Sequence, residues 1–223
     1  MIRQDKISYL AFKLNNYSKN YIKIGFIESL LISVIDSIYG SINSKLAFKN
    51  LQKQYSSWNK IIEEDIQSLS KSIYPSKPTY YQFATIQNIL SWIKEYSNSY
   101  NTEFLYDWDD ETILRRMLKI KGLRQETILK FLCLEMERDV FPVDSSIHRI
   151  LTRFGVVVKN LSNEDLFSNI NNKIPTNKDY PLYLSMKEHT SKICIDNNPT
   201  CHECQINEFC DYFNKKNHWR IYN

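Results

Sequence analysis

The chain has 223 residues, 43% of them hydrophobic and 24% charged, with a formal net charge of +4 at neutral pH. That length carries one large domain or two small ones around a substantial core, and the composition is that of an ordinary globular protein, not a disordered or fibrous one. No apolar run approaches the roughly 18 residues that cross a bilayer, and the N-terminus has no apolar core of signal-peptide length. An intracellular location in cytoplasm or nucleoid, with no membrane partner, is the expectation; the mild positive charge is compatible with nucleic acid without requiring it.

Four glycines and six prolines punctuate the chain, which favours long helices over many tight turns. Residues 26–39 place Phe26, Leu30, Leu31, Val34, Ile35 and Ile38 at helical spacing, the pattern of a core helix. Asp36 and Tyr39 read as polar residues on the exposed side of that helix. A second helix is predicted over 43–56, with Leu46, Phe48, Leu51 and Tyr55 apolar, and a third over 58–72. Pro75 and Pro78 interrupt the pattern. It resumes over 79–97, and Asp109 or Asp110 suits the cap of a helix at 110–119. No sustained alternation of period two occurs, so the chain reads as all-α.

In LKIKGLRQETI (118–128) one helix ends near Lys119, Gly122 makes a tight turn, and another helix starts near Gln125 and continues through residue 136. This is either an ordinary helical corner or a helix-hairpin-helix. In the latter, Lys121, Gly122, Leu123 and Arg124 would present backbone N–H groups and the helix N-terminus to a DNA phosphate. The usual hairpin has two glycines separated by one residue, and Arg124 stands in the second place. Were that position to require positive φ, arginine would cost ~1 kcal/mol relative to glycine. Cys133, among Phe131, Leu132 and Leu134, reads as core. In DVFPVDSSIHRILTRFG (139–155), Pro142 ends one segment and Asp144 precedes a helix carrying Ile147, Ile150, Leu151 and Phe154. Asp144 alone reads as an N-cap. Arg149 and Arg153 read as a solvated face or as phosphate contacts.

Four of the five cysteines, Cys194, Cys201, Cys204 and Cys210, fall in the pattern C-x6-C-x2-C-x5-C. Four thiolates this close suit tetrahedral zinc or an iron–sulfur cluster, and two disulfides would require an oxidising compartment. The spacing resembles the cluster loop of the endonuclease III family of helix-hairpin-helix DNA glycosylases. GLRQET, FPVDSSIHRI and the cysteine loop follow in that family's order, and the resemblance runs from about Phe26 to Tyr212.

The resemblance implies an all-α, two-lobed fold: a bundle over 28–141 containing the hairpin, and a second lobe of 1–27 with 142–223 holding a [4Fe–4S] cluster on the loop 194–210. It implies a base-excision-repair enzyme, acting as a monomer on double-stranded DNA with a damaged or mismatched base, and Asp144 as both cap and catalytic carboxylate. Bifunctional members carry a Schiff-base lysine eighteen residues before that aspartate; here the position is Glu126. A carboxylate forms no Schiff base, so the expectation is a monofunctional glycosylase using water, with Glu126 either suiting the helix dipole or sharing acid–base work with Asp144. Alternatives are a bifunctional enzyme using another amine, such as Lys119 or Lys121, and a DNA-binding protein without catalysis. Asp36 or Tyr39 falls near the family's base-gap filler. Lys192, His202, Lys215 and Lys216 flank the cluster loop, where relatives touch the DNA backbone.

Overall fold

The structure is a computed structural model and describes residues 3–14, 21–73, 80–157, 170, 174 and 179–215, with residues 3–5, 37–43, 72, 73 and 179 described in backbone only. The prolines at 75 and 78, the side chain of Tyr39 and Lys216 lie outside the described residues. Helices α1 (Arg3–Leu14), α2 (Phe26–Gln54), α3 (Trp58–Glu63), α4 (Ile66–Ile73), α5 (Tyr80–Ser97), α6 (Asp110–Met117), α7 (Gln125–Leu134), α8 (Ser145–Phe154) and α9 (Asp179–Lys192) follow in order, with short 3-10 turns between some of them. Among the described residues there is no strand, and no helix is long and apolar enough to cross a membrane. The chain divides into two compact units, one of residues 23–136 and one of 1–22 with 137–223.

In the 23–136 unit, α2 is the helix on which α4, α5 and α7 pack. Leu30, Leu31, Ile35 and Leu51 of α2 meet a core of Phe83, Ile86 and Ile89 from α5 and Ile128 and Leu132 from α7, all essentially inaccessible. Cys133 is buried with them. The two helices predicted over 26–39 and 43–56 are a single helix. Gly40 alone costs about 1 kcal/mol in a helix interior, too little to break a helix buried on both sides of it. Leu46, expected to be apolar packing, faces solvent. The helix predicted over 58–72 is broken in two instead. Gln87 Nε2 donates to the carbonyls of Ile61 (2.9 Å) and Glu64 (2.8 Å), closing off α3. Asp65 Oδ2 accepts from Ser68 N at 2.9 Å and starts α4 anew.

In the other unit α9 packs on both α1 and α8. The buried Lys6 of α1 donates to Phe154 O (2.7 Å) and to Asp211 Oδ1 (2.6 Å). It thereby joins the N-terminal helix, the end of α8 and the C-terminal segment. Gly155 ends α8 at φ 86°, and a Cβ there would strike Asp211 and Lys6. The positive φ calls for glycine after the helix, and a Cβ there would also displace the Lys6–Asp211 pair.

Candidate functional site

The sequence puts an aspartate directly before an apolar helical repeat, and Asp144 is the N-cap of α8. Its Oδ1 accepts from Ser146 N (2.9 Å), Ile147 N (3.0 Å) and Ser146 Oγ (2.7 Å). These bonds satisfy N–H groups that a helix start leaves without partners. Oδ2 is held from α9: Lys187 Nζ donates to it at 2.7 Å and Tyr183 Oη at 3.3 Å. Lys187 Nζ also donates to Ser146 Oγ at 2.9 Å, closing a three-residue ring. Burial pushes the Asp144 carboxyl up, but the Lys187 ammonium outweighs it, together with hydrogen bonds from Lys187, Ser146 and Ile147, and holds it down at about 2. The group is thus an anion at any physiological pH, with a quarter of its side-chain surface still open.

Sequence reasoning missed Lys187 and Tyr183. Lys187 lies 43 residues beyond Asp144, and nothing in the local pattern of α9 marks it. Its neighbours Met186 and Ser185 are fully buried, which turns Lys187 toward the edge where α8 begins.

The hairpin lies in the 23–136 unit. Asp109, not Asp110, caps α6 by accepting from Thr112 N at 2.6 Å. α6 ends at Met117, two residues sooner than expected, and α7 ends at Leu134. In the turn Gly122 takes φ 91°, and a Cβ there would strike the Thr85 side chain. Asn88 Nδ2 donates to Lys121 O at 2.9 Å and fixes the turn against α5. Leu123 is buried beneath it. Arg124 has φ −100° and ψ 148°, the extended backbone of a residue that opens a helix. The left-handed conformation considered for it does not occur, and arginine stands there without backbone penalty. Its Nη2 lies 2.7 Å from Glu126 Oε1, so the residue at the lysine position forms a salt bridge in the first turn of α7. In the same unit Asp36 pairs with Lys130 at 3.8 Å.

Cys194, Cys201, Cys204 and Cys210 line one small cavity, walled by Ile150, Phe154, Ile193, Pro199, Ile206 and Phe213. None of them is joined in a disulfide. Among the described residues no three His, Cys, Asp or Glu side chains converge as a site for a single ion. Burial pushes the Cys204 thiol up to about 11; a backbone hydrogen bond at Ile206 opposes this and the other three sulfurs add to it. Burial likewise raises Cys210. Such a set of sulfurs becomes thiolate only against a compensating cation, which is the chemistry of a metal-binding donor set.

The arginines of α8 are half-buried and bind carbonyls of the neighbouring loop. Arg149 Nε donates to Cys194 O (3.1 Å) and Nη2 to Thr190 O (3.3 Å). Arg153 donates to Ile195 O (2.6 Å) and Asp196 O (2.8 Å), and its guanidinium lies 4.8 Å from the Tyr212 ring centroid. They clamp the start of the cysteine loop to the helix that Asp144 caps. His189, fully buried on α9, has Nε2 3.5 Å from Cys204 Sγ, and burial lowers its pKa to about 4.

No protein-family model matches the chain. A Methanocaldococcus jannaschii protein bearing the name of a DNA repair glycosylase is 28% identical over 157 residues, covering 68% of this chain and 69% of that one. Endonuclease III of Rickettsia felis is 26% identical over 190 residues, covering 83% of each. Among solved structures, a trapped covalent endonuclease III–DNA intermediate superposes with a TM-score of 0.82 at 15% identity, covering 97% of this chain and 99% of that one. The fold is the all-α endonuclease III fold.

Proposed function

We propose that this chain, which belongs to the endonuclease III-like family of helix-hairpin-helix proteins, is a base-excision DNA N-glycosylase that hydrolyses the bond between sugar and base at a damaged or mismatched position. The observation that carries the reading is Asp144: one oxygen caps α8, and the carboxylate is kept anionic yet partly open. The target base must first leave the stack, which costs a few kcal/mol and least where pairing is already faulty. Breaking the N-glycosidic bond then builds positive charge at C1′. A fixed carboxylate offered to that charge stabilises the transition state without reorganising. A group that releases its proton near pH 2 is a feeble base at neutral pH, so its contribution is electrostatic and orienting; water supplies the nucleophile.

Glu126 at the lysine position, paired with Arg124, supports a monofunctional enzyme. DNA would be held through the hairpin residues Lys121, Gly122, Leu123 and Arg124, by backbone N–H donors and the start of α7. Cys194, Cys201, Cys204 and Cys210 would hold a [4Fe–4S] cluster. When bound it supplies a covalent pin for the loop, not a step of the reaction. A bifunctional reading has one observation in its favour, an amine beside Asp144, Lys187.

The test is excision from a panel of duplex oligonucleotides, each with one lesion, with and without alkali. Base loss that becomes strand cleavage only after alkali is the expected result for at least one lesion. Strand cleavage without alkali overturns the monofunctional assignment, and no excision from any duplex by the brown, cluster-loaded protein overturns the glycosylase reading.

A further inference from the structure

The geometry points to Lys187 as the positioning residue of this site: it clamps the Asp144 carboxylate in one orientation and keeps it an anion, and it is not a nucleophile. The inference rests on the excision reading above and deepens it.

Asp144 Oδ1 is fully occupied by the helix start, with three donors at 2.7–3.0 Å. Among the described residues Oδ2 has two donors, and of these Lys187 is the close and charged one, at 2.7 Å against 3.3 Å for Tyr183 Oη. Rotation of the carboxyl group would break one set or the other, so the two helices together fix its plane. Lys187 also binds Ser146 Oγ at 2.9 Å, and Ser146 Oγ in turn binds Oδ1. The ammonium therefore meets the carboxylate directly and through the serine, the arrangement of a counter-ion locked to its partner.

Among the described residues the groups that face the carboxylate are Ser146 and the Ile147 N–H of α8 and Tyr183 and Lys187 of α9. Lys187 is the charged member. Without it Oδ2 would keep one long hydroxyl bond in a largely buried position, and burial would favour the neutral acid. A neutral acid offers nothing to a sugar cation. An ammonium bound in this way is also a poor attacking group, because attack on C1′ needs a deprotonated lone pair and this nitrogen directs its protons at two oxygens.

The test uses the full, cluster-loaded chain and two readouts. The first is the carboxyl carbon resonance of Asp144 against pH, assigned with Asp144→Asn. The parent is expected to remain carboxylate to about pH 3, and Lys187→Met to protonate at least one pH unit higher, a tenfold change in proton affinity. Lys187→Arg, which keeps the charge, should titrate close to the parent and serves if the methionine variant does not fold. The second is single-turnover excision at about pH 8, where the carboxyl is ionised in parent and variants alike: Lys187→Met, with the carboxylate no longer held in one orientation, should be several-fold slower than the parent, and Lys187→Arg should restore most of the rate. Identical carboxyl titrations in parent and Lys187→Met overturn the clamp. So does a borohydride-trapped DNA adduct that is lost on replacing Lys187. If the parent excises no lesion the glycosylase reading fails, and the carboxyl titration still decides the role of Lys187.

Discussion

Asp144 divides its work between its two oxygens, and substitution can separate the two tasks. Asparagine keeps an acceptor for Ser146 N and Ile147 N and ranks with aspartate as an N-cap. Asp144→Asn is therefore expected to retain α8 and the fold while losing about 10²-fold or more in excision rate, the scale of removing one preorganised electrostatic group. The pH dependence of stability has a definite sign. The folded carboxyl releases its proton at about 2 against an ordinary value of 3.8, so below pH 4 the unfolded chain binds the extra proton. The stabilisation, of order 2 kcal/mol, is fully present above about pH 5 and lost as pH falls toward 2. Urea unfolding should show this acid loss in the parent and not in Asp144→Asn. The aspartate itself was legible in the sequence, because a cap and a following apolar repeat are local features. Lys187 was not, because its meaning depends on α9 packing against the first turn of α8.

Helix boundaries divide in the same way. The start of α8 at Asp144 and its end at Gly155 follow from chemistry within a few residues, as does the cap at Asp109. The break between α3 and α4 does not, since it depends on the amide of Gln87 reaching across from α5. The absence of a break at Gly40 depends on burial elsewhere along α2. Arg149 and Arg153 stand one helical turn apart on α8, a spacing that shows a shared face but not what the face meets. What it meets is the row of carbonyls from Thr190 to Asp196. Arg153 makes two short hydrogen bonds from a charged donor, one part-buried and one exposed, each weaker than the roughly 1.5–3 kcal/mol of a buried one. Arg153→Ala is therefore expected to loosen the loop around Cys194 without unfolding α8. In purified protein the visible absorption of the proposed cluster should decay several-fold faster under a chelator than in the parent. An unchanged decay would mean that the sulfurs alone hold the loop.

At the scale of the whole molecule the question is how a chain with 29 lysines and arginines and a net charge of only +4 would hold a polyanion. Several of its cations have internal partners among the described residues. Arg124 is paired with Glu126, Lys130 with Asp36, Lys187 with Asp144, Lys192 with Glu188 and Lys6 with Asp211; Arg149 and Arg153 bind loop carbonyls. At the hairpin, phosphate contacts would be made by backbone N–H groups, which carry no formal charge and displace few counter-ions. Each phosphate neutralised by a cation adds about −0.9 to the slope of log affinity against log salt on duplex DNA. With few such contacts the expected slope is shallower than about −5, the value of a protein neutralising six phosphates. Fluorescence anisotropy with Asp144→Asn, which leaves a lesion duplex intact during the measurement, gives that slope between about 50 and 200 mM salt. A slope shallower than about −5 fits a grip based on the hairpin turn at Gly122. A slope of about −6 or steeper would mean that the paired arginines and lysines release their partners on binding, and Arg124→Ala would then flatten it by about one unit.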